Sequence, residues 1–332
     1  MANIRRYAAD LARDLGAAEH EDPVESVLSF ATSVIARHHQ SIACTKLSTL
    51  VDWVANKLAI RFEVVETNED LARLRREYAS QGEYGMARLA AELESDNCYG
   101  GTFALLQPTK GICYIAVIDC RGNKGHRSYF TKCHEIAHII VMTDQQLLVF
   151  RRTHEEENHP LEDLVDRVAS RLGFYRPLLQ PYFIGEPSFE LIQSIISDLC
   201  PEASWESTVR GVISAWPRPA TWLRAGLGLK RAEEAAAAQD RFTFKPDPKR
   251  KLRISDPPAV SEVASPKFSF HQNMRIPERS IITAVFRGAP AADATEDLSW
   301  WDVSGRHLPQ LPIKVTARRV APEIVEAIIV AA

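Results

Sequence analysis

One pentapeptide, His134-Glu135-Ile136-Ala137-His138, constrains this chain more than any other segment. Within a helix, spacing i, i+4 sets the two imidazoles on one face, one turn apart, which is how two ligands reach one metal ion. Glu135 lies on the same side, where a carboxylate can take a proton from a metal-activated water without itself ligating. At the His and Glu frequencies of this chain, chance would produce the pattern roughly 0.02 times per chain, so coincidence is a poor explanation. The flanking sequence supports the helix: Ser128 can cap a stretch from about Tyr129 to Met142.

A catalytic zinc site takes three protein ligands and keeps one position open, so a third ligand is required. The motif does not continue with the Gly and His of metzincins, because Val141 and Asp144 stand there. Glu162 is the better candidate. It falls in the first turn of a second helix, expected from Pro160 to near Gly173, and Asp166 follows one turn later on the same face. Glu162 can complete the triad while Asp166 accepts the outer N–H of a ligating histidine. Asp163, Glu157 and His159 are the alternatives for the third position, and a carboxylate at a helix start also has an ordinary role against the macrodipole.

The rest of the chain frames these helices. Helices are expected over residues 3–15, 24–39 and 46–58, then a strand Ile60 to Val65, then a charged helix capped by Asn68 and running to about Glu94. Strands Gly101 to Leu106 and Ile112 to Ile118 read as a hairpin around the Pro108 to Gly111 turn. From Pro187 to Ala238 the pattern is helical, with Trp205 to Leu229 a candidate helix-turn-helix-like pair interrupted at Pro217 and Pro219, and Ala235 to Ala238 a linker. Its basic residues are not concentrated on one helix, which favours a structural arm or dimer surface over a DNA reader. Short strands are expected beyond it, at Lys267 to His271, Ser280 to Phe286, Ile313 to Ala317 and Glu323 to Val330. At about 150 residues per domain, 332 residues make two or three cores. The division expected is a body over 1–180, a helical arm over 181–239 and an α+β or β-rich end over 240–332.

Charge is unevenly spread. The whole chain has formal charge −3, yet from Asp240 onward 14 Lys and Arg face 11 Asp and Glu. In that basic end Arg275, Arg279 and Arg287 with Trp300 and Trp301 are candidates for holding single-stranded DNA, since a basic groove with stacking platforms binds strands without sequence preference. Phe268 and Phe270, alternating in sequence, are more in keeping with a core. No run approaches the roughly 18 apolar residues of a membrane span, and the N-terminus lacks a signal-peptide apolar region, so a cytoplasmic location is expected. Six cysteines without CxxC spacing indicate neither a disulfide framework nor an all-cysteine zinc site.

The run Tyr129-Phe130-Thr131-Lys132-Cys133-His134-Glu135-Ile136-Ala137-His138, behind a hairpin and ahead of Glu162-Asp163-Leu164-Val165-Asp166-Arg167-Val168-Ala169, resembles the ImmA/IrrE family of bacterial zinc peptidases over about residues 46–180. Within that family it is most similar to the CapP peptidases encoded beside anti-phage CBASS systems. Asp166 stands where the family usually has Asn, and the Met-Pro that closes the third-ligand helix is absent. The resemblance implies an α+β, gluzincin-like domain whose edge strand, Thr102 to Leu106, holds a peptide by β-augmentation. It further implies a C-terminal GAF-like sensor domain, a helix-turn-helix repressor as substrate, release of a defence or DNA-damage response, and single-stranded DNA as a possible activator. It also favours a cysteine switch. Cys98, just before the edge strand in Asn97-Cys98-Tyr99-Gly100-Gly101, would give a thiolate to zinc and fill the open position. Cys133 lies about 100° off the His134 face and Cys113 in a strand expected to be buried. Tyr99, His126 and His154 are open candidates for an oxyanion donor. The competing expectation is a non-proteolytic sensor or transcription regulator in which zinc is structural.

Overall fold

The computed structural model describes residues 2–16, 21–83, 86, 89–94, 98–141, 160–230, 249–265, 268–301 and 308–331. Contacts divide the chain into two compact units, Met1–Leu179 with Ile195–Thr208, and Gln180–Ser194 with Val209–Ala332. Both mix helices with a sheet, an α+β composition.

The first unit opens with helices α1 (Ala2–Asp14), α2 (Pro23–Gln40) and α3 (Leu47–Lys57). Pro23 stands in the first turn of α2 behind an Asp22 cap whose carboxylate accepts from the Val24 and Glu25 amides. Strand β1 (Ile60–Val65) leads into α4 (Asn68–Ser80). The cap of α4 is Thr67, one residue ahead of the expected Asn68, because Thr67 and Asp70 form a reciprocal capping box. The expected run to Glu94 is also broken: α4 ends at Ser80, Gly82 turns at φ 84°, and a short α5 (Leu89–Leu93) follows. The hairpin forms as β2 (Gly100–Thr109) and β3 (Ile112–Asp119), closed by Lys110 and Gly111, both at positive φ as a tight hairpin turn requires. Strand order is β1-β3-β2, with β1 parallel and β2 antiparallel to β3. One face of this sheet packs Ile115, Val117 and Phe103 against Leu71, Leu74 and Tyr78 of α4 and Leu89 and Leu93 of α5. Against the other face runs α6 (Ser128–Val141), which also packs on α2, α3 and α7 (Pro160–Gly173).

After α8 (Arg176–Leu179) come α9 (Phe189–Leu199) and α10 (Trp205–Ala215), each with residues in both units. Here the sequence expectation of a helix pair fails. Pro217 and Pro219 end α10, and Ala220–Gly228 is strand β4. Its first four residues are all buried, so the two-residue alternation that betrays a half-exposed strand is missing. The expected arm over 181–239 is therefore no separate body: β4 pairs β5 (Lys251–Ile254), β6 (Ala259–Val260) and β9 (Ile324–Ala331), and the sheet continues through β8 (Pro312–Ala321) to β7 (Ala292–Asp297). The Ala235 to Ala238 linker lies outside the described residues.

Two further expectations in this unit are corrected. Ile281–Phe286 is a helix, α11, rather than a strand; the Ser280 hydroxyl accepts from Ile282 N–H, and the buried Glu296 carboxylate accepts from Ile281 N–H at 2.7 Å. Phe268 and Phe270 belong to no strand; they are core residues beside Trp301, with Leu223, Val315 and Ile329 in the same cluster. On the opposite sheet face Glu326, 1% exposed, joins Arg224 (3.2 Å) and Arg318 (2.9 Å).

Candidate metal centre

Helix α6 is buried on most of its circumference, and two of its charged or titratable side chains are buried with it: Glu135 is 5% and His138 6% exposed. The helix lies against α7, whose Leu164, Val165, Val168, Ala169 and Leu172 are fully buried. The approach is close. Tyr129 donates its hydroxyl to the Gly173 carbonyl at 2.6 Å, and a Cβ on Gly173 would stand 2.9 Å from Cys133 Sγ. Glycine at the end of α7 thus sets the α6–α7 spacing, and with it the distance between histidines and carboxylates.

The spacing brings three donors together. His134 Nε2 and His138 Nε2 lie 3.0 Å apart, and Glu162 Oε2 is 3.1 Å from the first and 3.7 Å from the second. Ligands about 2.0–2.1 Å from a tetrahedral zinc stand about 3.3–3.4 Å from one another, so the three observed edges bracket the required value. Among the described residues the group has these three members. Asp166, one turn beyond Glu162, contacts His134 Nδ1 at 2.8 Å. Burial pushes the His134 imidazole down, but the Asp166 and Glu162 carboxylates outweigh it and hold its pKa up at about 10. The negative field that would keep a proton there is the field a divalent cation needs.

Glu135 is held from the sheet. Thr102, in the first turn of pleat after Gly100, donates its hydroxyl to Glu135 Oε2 at 2.7 Å, and both side chains are buried. Gly100 allows the approach: a Cβ there would meet Val117 O at 2.7 Å, Thr131 Cγ2 at 2.8 Å and Glu135 Oε1 at 3.3 Å. Neither residue carries a sequence signal of its own, although their even spacing along β2 puts them on one face.

Cys98 is a correction. Its thiol is fully buried in the apolar cluster with Val65, Leu71, Leu89, Leu93, Phe103 and Val117, on the sheet face away from α6, with its Sγ 3.9 Å from Gly100 O. Counting back by twos from Thr102 would put residue 98 beside Glu135, but the strand begins at Gly100 and the alternation does not extend past it. The thiol is not a fourth donor of the triad. Cys133 is also in the core, where burial pushes its thiol well up. Tyr99 and His126 line a polar cavity of about 650 Å³ with Asn68, Asp119, Arg121 and Lys124; no triad residue lines it. The Arg127 guanidinium lies 4.6 Å over the Tyr99 ring. His154, like Glu157 and His159, lies outside the described residues.

In the second unit Trp301 is fully buried, with its indole N–H donating to Glu296 at 3.3 Å, so it is no platform for a base. Trp300 is half-buried under the Arg279 guanidinium at 4.0 Å, while Arg275 and Arg287 are both paired with Glu278. No described helix is long and apolar enough to cross a membrane.

No protein-family model and no characterised protein matches the sequence. Among solved structures the chain is similar to a Mycobacterium tuberculosis transcriptional regulator, with 9% identity and a TM-score of 0.40, over 99% of this chain and 82% of that one.

Proposed function

We propose that this chain is a zinc-dependent endopeptidase of gluzincin-like architecture, with His134, His138 and Glu162 as ligands and Glu135 as the general base. The observation that carries the proposal is the convergence of three donors of zinc type beside a buried glutamate on the same helix. The three donors found among the described residues match the ligand number of catalytic zinc sites, which keep one position open.

When bound, zinc would supply Lewis acidity to a water and to a peptide carbonyl. The chain's own residues do the rest. Glu135 takes the proton as the water oxygen adds to the carbonyl carbon, and returns it to the amine as the C–N bond breaks. Thr102 holds Glu135 Oε2 throughout, so the carboxylate does not search among rotamers. Asp166 fixes the His134 ring through Nδ1, which leaves Nε2 toward the metal. The start of β2, beside Glu135, offers main-chain groups on which an extended peptide can pair.

The resemblance to ImmA/IrrE peptidases supplies the substrate class, a helix-turn-helix repressor whose cleavage releases a defence or DNA-damage response. In the same proposal the second unit is a GAF-like sensor, with Arg279 and Trp300 the candidates for stacking on single-stranded DNA. Co-expression of the full chain with a helix-turn-helix repressor from the adjacent genes, followed by intact-mass measurement, tests this. Two repressor fragments whose masses sum to the parent plus one water are expected. An intact repressor in the presence of zinc and single-stranded DNA would oppose it.

A further inference from the structure

We propose that Glu83 closes the far half of the β2 edge and so fixes how many residues of a bound peptide can pair with the protein; this rests on the peptidase reading above. Along β2 the main-chain groups alternate in direction. Asp119 N–H donates to Tyr99 O at 2.8 Å, so Tyr99, Gly101 and Phe103 turn toward β3, and Gly100, Thr102, Ala104 and Leu106 turn outward.

The outward edge is not uniform. Glu83 accepts from Leu106 N–H at 2.9 Å (Oε1) and 3.1 Å (Oε2), and from Gln107 N–H at 3.3 Å. Two consecutive amides reach one acceptor because the strand is irregular there; its register with β3 shifts between Ala104 and Thr109. Glu83 is 8% exposed and fixed by the turn after α4, where its own N–H donates to Tyr78 O at 2.9 Å. The carboxylate occupies the place a substrate carbonyl would take.

A row of open strand amides invites unwanted pairing, and a charge on the edge is a common way to blunt it. Here the blunting is selective. Among the described residues it begins at Leu106 and spares Gly100, Thr102 and Ala104, of which Gly100 and Thr102 stand against Glu135. From Thr102 to Leu106 is four residues, about 13 Å of strand. A peptide laid antiparallel on this edge pairs at Thr102 and Ala104 and then meets the Glu83 carboxylate. Substrate residues more than about four positions to the N-terminal side of the scissile bond gain no main-chain pairing.

The test uses the full-length, zinc-loaded protein and a proteome-derived peptide library, with cleavage sites read by mass spectrometry. Peptides built on the best-cleaved sequence and extended residue by residue toward the N-terminus then give KM and kcat. In the wild type KM should stop falling once about four residues precede the scissile bond. In Glu83→Ala it should fall a further three- to ten-fold, roughly one added hydrogen bond, with kcat unchanged. Glu83→Gln keeps a carbonyl oxygen for Leu106 N–H and should restore the wild-type limit. N-methylation of single substrate residues asks the same of the wild type without any variant: it should weaken binding inside the limit and have no effect beyond it. Equal length dependence in Glu83→Ala, or an N-methyl effect beyond the limit, overturns the role of Glu83 while leaving the peptidase intact. No cleavage of any library peptide by the wild type overturns the peptidase reading itself and the role of Glu83 with it.

Discussion

Asp166→Ala removes the carboxylate that contacts the outer nitrogen of His134. In the structure Asp166 Oδ1 stands 2.8 Å from His134 Nδ1, which places Nε2 of the same ring 3.0 Å from His138 Nε2. Loss of a carboxylate behind a ligating histidine typically costs 10- to 100-fold in metal affinity. Exposure decides where in that range this residue falls. The Asp166 side chain is 55% exposed against 21% for His134, so water can replace the lost acceptor and the Coulombic part is screened. The expected loss is therefore about 10-fold, or about 1.4 kcal/mol. Competition with a chromophoric chelator gives the zinc dissociation constants, with His138→Ala as the reference for a broken site. Affinity within twofold of wild type would show that Asp166 does not orient the ring. A loss as large as that of His138→Ala would make it a ligand instead.

Thr102→Val keeps the shape of the side chain and deletes its hydrogen bond to Glu135. A bond to a charged group is worth about 1.5–3 kcal/mol, so kcat should fall by about 10-fold or more while zinc content and KM hold, and Thr102→Ser should recover most of the loss. An unchanged kcat in the valine variant would remove the positioning role. Asp119 gives a pH test on stability. Burial pushes its carboxyl up, but Arg121 and Lys124 outweigh this and hold its pKa below the usual value. A lowered native pKa means stability that is complete above the unfolded value of about 3.9 and is lost as pH falls through the native value. Asp119→Asn should therefore be less stable at pH 7, with a shallower acid decline below about pH 4, by urea unfolding at stepped pH. Parallel curves for the two proteins would contradict the assignment.

What the sequence disclosed and what it hid follow from how local each signal is. His134, His138, Glu162 and Asp166 are legible because each pair lies one helical turn apart, a spacing that holds wherever the helix goes. Their meeting across α6 and α7 depends on Gly173, which looks in sequence like an ordinary helix end. Strand β4 was hidden because it is buried on both faces and shows no alternation, and α11 because Ile281-Ile282-Thr283 favours a strand until Ser280 and Glu296 satisfy its first amides. Trp300 and Trp301 are adjacent in sequence and opposite in fate, since the Glu296 carboxylate binds one indole in the core and leaves the other to Arg279. In sequence, Cys98 is placed at the metal by family resemblance and by its position just before the edge strand, and neither of these reports the sheet face its thiol takes, which is the apolar one. Glu83 meets Leu106 from 23 residues away, across a turn and a helix, with no periodicity to announce the pair.

The central claim is that the triad and Glu135 form one hydrolytic site, and Glu135→Gln tests it most directly. The carboxamide keeps the volume and the Thr102 contact but cannot accept the water's proton. Zinc content by atomic emission and cleavage of the repressor by intact mass should be measured on the same preparation. One zinc per chain with no fragments is the expected result. Fragments formed at the wild-type rate would contradict the mechanism, and no zinc in the wild-type protein purified with zinc supplied would contradict the site.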